Sequence, residues 1–196
     1  MKSIFLILSL FINTVSYAND HLEPEDSIFI GKVIGQYHSK VLNNFHEVFE
    51  REFALRALVL PSFSFEYTVG LKSIEDDFII VGLKMEKNLW YNPQDNQVER
   101  CHKPITAQLA NNLIEVWKKM LFETRYSDSD LEGTDGITYH FSMDHSGYIM
   151  AGKKWSPRLD KVGMLAEISD DLYKYCQNEK VQLDKIENNV KYLLNE

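Results

Sequence analysis

Residues 65–72, FEYTVGLK, set Phe65, Tyr67, Val69 and Leu71 in alternation with Glu66, Thr68, Gly70 and Lys72. A period of two is the spacing of a strand with one buried face. FIIVGL (78–83) follows as an unbroken apolar run, which suits a central strand covered on both sides. The polar EDD (75–77) makes the turn between the two, and FALRALVL (53–60), closed by Pro61, precedes them. NLWY and QVERC flank NPQDN and read as a shorter hairpin with an exposed tip. Strands of this kind are stable only against further strands or helices.

The flanks supply that cover, because their apolar spacing changes to three and four. Residues 28–50 carry Ile28, Phe29, Val33, Ile34, Tyr37, Val41, Leu42, Phe45, Val48 and Phe49, mainly an amphipathic helix. After Pro104, Thr106 is a candidate N-cap for a stripe of Leu109, Ala110, Leu113, Ile114, Trp117, Met120 and Leu121, ending near Arg125. Residues 126–136 are a polar connection. Ile137, Tyr139 and Phe141 then alternate with Thr138, His140 and Ser142, and GYIMAGKKW (147–155) returns as the partner strand. MDHSG (143–147) forms the tip, and Ser156-Pro157 stops the ladder. Two helices finish the chain, one with Leu165, Ile168, Leu172, Tyr175 and Cys176, the other with Leu183, Ile186, Val190 and Leu193. This order predicts a single α+β domain with an antiparallel sheet of about five or six strands and helices mainly on one face. The last helix, in 182–196, has few tertiary clues and is expected to project from the body.

The ends and composition set the expected address. Lys2 precedes the apolar run IFLILSLFI (4–12), and Ser16 and Ala18 offer small residues at −3 and −1. That pattern predicts a signal peptide over 1–18 and a domain over 19–196, periplasmic or secreted. The run is too short for a membrane anchor, so no membrane insertion is expected after cleavage. The net charge is −8, and −9 once Lys2 leaves with the leader. An acidic chain without a basic cluster is a poor nucleic-acid binder. Cys101 and Cys176 are the only cysteines, and in an exported protein an even count reads first as a disulfide. Two buried thiols are the other reading, with Cys176 on the apolar stripe of its helix.

No catalytic motif appears. Six dispersed histidines show no zinc-ligand spacing, so neither metal nor cofactor is expected. Serines fall beside turns rather than in a GxSxG elbow. One polar combination stands out: Glu66 and His140 lie on the polar sides of their strands and share a face if the strands pack together, with Arg125 as a third member. Trp117 is core by its spacing. Trp90 and Trp155 sit at strand ends and read as core lids or as contact anchors.

LPSFSFEYTVGL (60–71), WKKMLFETRY (117–126), DGITYHFS (135–142) and GKKWSP (152–157), in that order behind a signal peptide, resemble an uncharacterised group of small secreted bacterial proteins. The resemblance covers about residues 54–176 and implies bacterial export and a single domain. It brings no activity or catalytic residue with it. The expected function is therefore an exported, non-enzymatic bacterial binding protein, of inhibitor or immunity type, that meets a protein partner through Trp155, Tyr148 and Trp90. The alternative is a periplasmic hydrolase using a carboxylate and a histidine around Glu66 and His140.

Overall fold

The computed structural model describes residues 20–25, 35–75, 77–92, 94, 97–127, 135–181 and 183–196. The expected signal peptide, the first part of the N-terminal helix and most of the 126–136 connection lie outside them. The described chain forms one seven-stranded antiparallel sheet with four α-helices. The strands are β1 (Glu23–Pro24), β2 (Phe53–Pro61), β3 (Tyr67–Ile74), β4 (Asp77–Met85), β5 (Val98–Ile105), β6 (Ile137–His145) and β7 (Tyr148–Trp155), and their spatial order is β1-β7-β6-β2-β3-β4-β5. The helices are α1 (Gly35–Asn44), α2 (Ala107–Phe122), α3 (Lys161–Cys176) and α4 (Leu183–Asn195), with a 3-10 turn at His46–Phe49.

The topology follows from local chemistry. β2 to β5 form a meander, and α2 then carries the chain back across the sheet to lay β6 beside β2. Thr106 caps α2, its side chain accepting from the amide of Leu109 at 3.2 Å. The β6–β7 hairpin is longer and tighter than the sequence suggests. Its strands run to His145 and Tyr148, and only Ser146 and Gly147 turn, both at positive φ. Two left-handed residues match the twist of a two-residue hairpin turn, so Met143 belongs to the strand and is buried there.

Both faces of the sheet are covered. One face, with Leu55, Ala57, Val69, Leu71, Ile80 and Phe141, packs on α2, α3 and α4 around the fully buried Trp117. The opposite face, with Leu58, Leu60, Val81, Leu83 and Met85, packs on Val41 and Phe45 of the α1 segment and Val48 of the 3-10 turn. The helices lie mainly on one face as expected, with α1 and the 3-10 turn covering the other, but β3 is not half-buried, since Thr68 on its polar side is as buried as Leu71. Nor does the last helix project: Ile186, Val190 and Leu193 of α4 are buried in the core, and the Lys119 ammonium donates to the carbonyl of Leu193 at 3.0 Å. The seventh strand is β1, whose two residues include a proline and carry no periodic signal.

Cys101 on β5 and Cys176 at the end of α3 are disulfide-bonded, with Cα atoms 5.6 Å apart. Gly82 faces Cys101 across the β4–β5 ladder, and a Cβ there would come within 2.7 Å of its sulfur. The missing side chain makes room for the bridge. Among the described residues, no helix is long and apolar enough to cross a membrane.

Candidate functional site

One end of the sheet presents four exposed aromatic side chains on two neighbouring segments. The β2–β3 loop presents Phe63 and Phe65, and the segment after β4 presents Trp90 and Tyr91. Phe63 is 72% exposed and Trp90 66%. These side chains are held out by polar groups held in. Glu66 is fully buried, and both oxygens of its carboxylate accept from the amide of Leu89, at 2.9 and 3.1 Å. The hydroxyl of Tyr37 on α1 donates to the same carboxylate at 2.9 Å. Asn88 completes the clamp, donating to the carbonyl of Ser64 and accepting from the amide of Tyr91 at 3.2 Å. Trp90 then packs edge-on against the Tyr37 ring, with centroids 5.2 Å apart. The Lys84 ammonium lies 5.1 Å over the ring of Phe65. Burial, reinforced by the Glu66 charge, pushes the Tyr37 phenol far above its ordinary pKa, so it stays a neutral donor.

NLWY is therefore not a strand. Asn88 and Leu89 are buried pins, and Trp90 and Tyr91 are the exposed face of a turn. The Glu66→Gln substitution tests the clamp. An amide oxygen in place of Oε1 keeps Tyr37 and the longer Leu89 contact but sets the amide nitrogen against the Leu89 N–H, and in place of Oε2 it leaves Tyr37 without its acceptor. We expect a loss of about 1–3 kcal/mol in urea unfolding. A loss below about 0.5 kcal/mol, the usual scatter for surface positions, would show that the carboxylate is not needed.

Glu66 and His140 do share a sheet face, but α1 and its neighbours cover it and the two residues have different partners. His140 is 5% exposed, and its Nδ1 lies 2.5 Å from a carboxylate oxygen of Glu25, itself buried just after β1. Burial pulls the imidazole pKa below its ordinary value, outweighing the opposing pull of Glu25. Ser142, two residues along the same strand face, is fully buried, and its hydroxyl has no hydrogen-bond partner among the described residues. No serine–histidine relay is assembled. Arg125 joins neither group; its guanidinium lies 3.9 Å from Asp20 and its amide donates to the carbonyl of Leu22.

The three expected anchors do not make one surface. Trp90 and Trp155 stand at the same end of the sheet, on strands or loops four spacings apart, roughly 19 Å. Trp155 is half-buried, with its indole resting against Gly136. Tyr148, 78% exposed, lies at the opposite end beside the β6–β7 turn. Sequence reasoning missed Phe63, Phe65 and Tyr91. The available signal was FSF directly after Pro61 and the WY pair before NPQDN, bulky residues in segments otherwise fit for turns.

A second buried constellation lies on the helix-covered face. The phenols of Tyr67 and Tyr139 both donate to the carboxylate of Asp170 on α3, Tyr139 at 3.1 Å. Burial raises the pKa of Asp170 despite the two hydroxyls, and raises both phenols strongly. Among the described residues, no group of three or more histidine, cysteine, aspartate or glutamate side chains is placed to hold a metal ion. No protein family, curated protein or solved structure matches this chain.

Proposed function

We propose that the protein is an exported, non-enzymatic bacterial binding protein of inhibitor or immunity type, which captures a protein partner with the aromatic end of its sheet. The carrying observation is that Phe63, Phe65, Trp90 and Tyr91 are exposed together on two loops fastened by Glu66 and Asn88. Large aromatics on a fixed backbone lose little entropy on binding, and such residues carry most of the energy at protein interfaces. The disulfide agrees with an oxidising compartment. The buried Glu66 has structural work at hand, which favours the binder over a hydrolase built around it and His140.

Pull-down of the mature protein from its own envelope extract identifies the partner, and titration against that partner supplies the affinity. Trp90→Ala combined with Tyr91→Ala should weaken binding about a hundredfold, as expected for two interface aromatics, with circular dichroism unchanged. Tyr148→Ala, at the other end, should bind as the wild type does. Reversal of that order in folded variants would overturn the proposal.

A further inference from the structure

The region between the start of β6, the loop after β7 and helices α3 and α4 forms a half-open cleft with a cavity volume of about 720 Å³, within the size range of small-molecule sites. Its apolar lining includes Ile137, Tyr139, Met164 and Leu159. Leu159 is fully exposed at the lip, an unusual position for a leucine held on an ordered turn. That turn is fixed. A Cβ on Gly163 would fall 1.5 Å from the carbonyl oxygen of Arg158, so the loop lies directly on the first turn of α3 and tolerates only glycine there. The mouth is tied at its other side, where the Ser156 amide donates to the carbonyl of Ile137 at 2.7 Å. The Tyr139 wall is anchored by its bond to Asp170. The cavity is preformed, so a ligand would not have to order it.

The charges at the rim are unevenly used. Asp160 accepts from the amide of Gly163 at 2.8 Å as the cap of α3. Glu167 holds Lys185 at 2.7 Å, and Asp20 faces Arg125 at 3.9 Å. Lys161 lies 3.9 Å from Glu196. Arg158, exposed beside Leu159, makes no ion pair among the described residues. An apolar cavity whose acids are engaged and whose arginine is not is complementary to one kind of molecule.

We infer that this cavity is a binding site for a small amphipathic anion, with its apolar body against Ile137, Tyr139 and Met164 and its carboxylate or phosphate on Arg158. The guanidinium fork suits either head group. A free amphiphile rather than a lipid within a bilayer is the fitting source, because a chain of net charge −8 is repelled by anionic membranes. The site opens at the same end of the sheet as the aromatic loops, since Ile137 pairs with Pro61, but shares no lining residue with Phe63, Phe65, Trp90 or Tyr91 and is tested independently of the partner proposed there.

Isothermal titration with octanoate, octyl phosphate and 1-octanol tests the assignment on the full mature protein. Both anions should bind, and octanol about tenfold more weakly, the difference expected for one charge-assisted contact near solvent. Arg158→Gln should abolish the preference while leaving octanol binding unchanged. Met164→Trp should weaken all three ligands by filling the apolar part. If that variant does not fold, Ile137→Trp, from the opposite wall, serves instead. Absence of binding by the wild type, equal binding of octanol and octanoate, an unchanged preference in Arg158→Gln, or association only with vesicles of anionic phospholipid would each overturn the inference.

Discussion

Replacing Cys101 and Cys176 together by serine should lower the unfolding free energy by roughly 4 kcal/mol, the chain-entropy value for a loop of this size. The bridge closes a sequence separation of 75 residues, so the unfolded chain gains much freedom when it is removed. The loop encloses all of α2, the β6–β7 hairpin and nearly all of α3, and cutting it frees elements that otherwise meet only by tertiary packing. Two features keep the native contribution near the entropic value. The Cα separation of 5.6 Å lies in the usual range for a disulfide, and Gly82 leaves space for the sulfur of Cys101. A small compensation comes from Tyr173, which also packs on Gly82 and could settle towards the shortened side chain. Urea unfolding of the double variant, compared with the oxidised wild type, measures the effect. A decrease below about 1 kcal/mol would mean that the unfolded chain is already held together elsewhere.

How much of this architecture could be read in advance depends on whether its cause is local. β4 announced itself as FIIVGL, because a strand covered on both faces needs apolar residues at successive positions. The cap at Thr106 and the β6–β7 pairing were legible for the same reason, since cap and alternation lie within a few residues. The polar side of β3 was not. Glu66 and Thr68 read as solvent-facing, whereas Glu66 is buried by a partner amide 23 residues later and Thr68 by its bond to the carbonyl of Ala57. A polar residue with a distant partner looks, in sequence, like a polar residue in water. α4 failed in the complementary way, because an amphipathic stripe does not say what it packs against. β1 gave no signal at all, and it is placed by Leu22 in the core and by Glu25 against His140. The site followed the same division. Trp90 was found from its position in the chain, but its platform required the carboxylate clamp to be seen.

His140→Ala should destabilise the protein by about 2–3 kcal/mol at pH 7.5, because it takes a buried hydrogen-bond partner from the Glu25 carboxylate. Both side chains are nearly inaccessible, at 6% and 0% exposure. Part of the cost is borne by the buried carboxylate that loses this contact, so Glu25→Gln in the same background should recover some of it, giving a non-additive double-mutant cycle. Acid should narrow the gap between wild type and variant, and the sign follows from the imidazole. His140 titrates in the unfolded chain near its ordinary 6.5 and in the folded chain below that. The unfolded state therefore takes up its proton first, and the wild type loses stability as pH falls through 6.5. The alanine variant lacks that loss. Asp170, whose raised pKa acts in the opposite sense, is present in both proteins and cancels in the difference. Urea unfolding at pH 7.5 and pH 5.5 gives the two gaps. A gap that widens in acid would mean that His140 is held protonated by Glu25 in the fold, and that attraction rather than burial governs the pair. A loss below about 1 kcal/mol at pH 7.5 would mean that Glu25 finds other partners when the imidazole is gone.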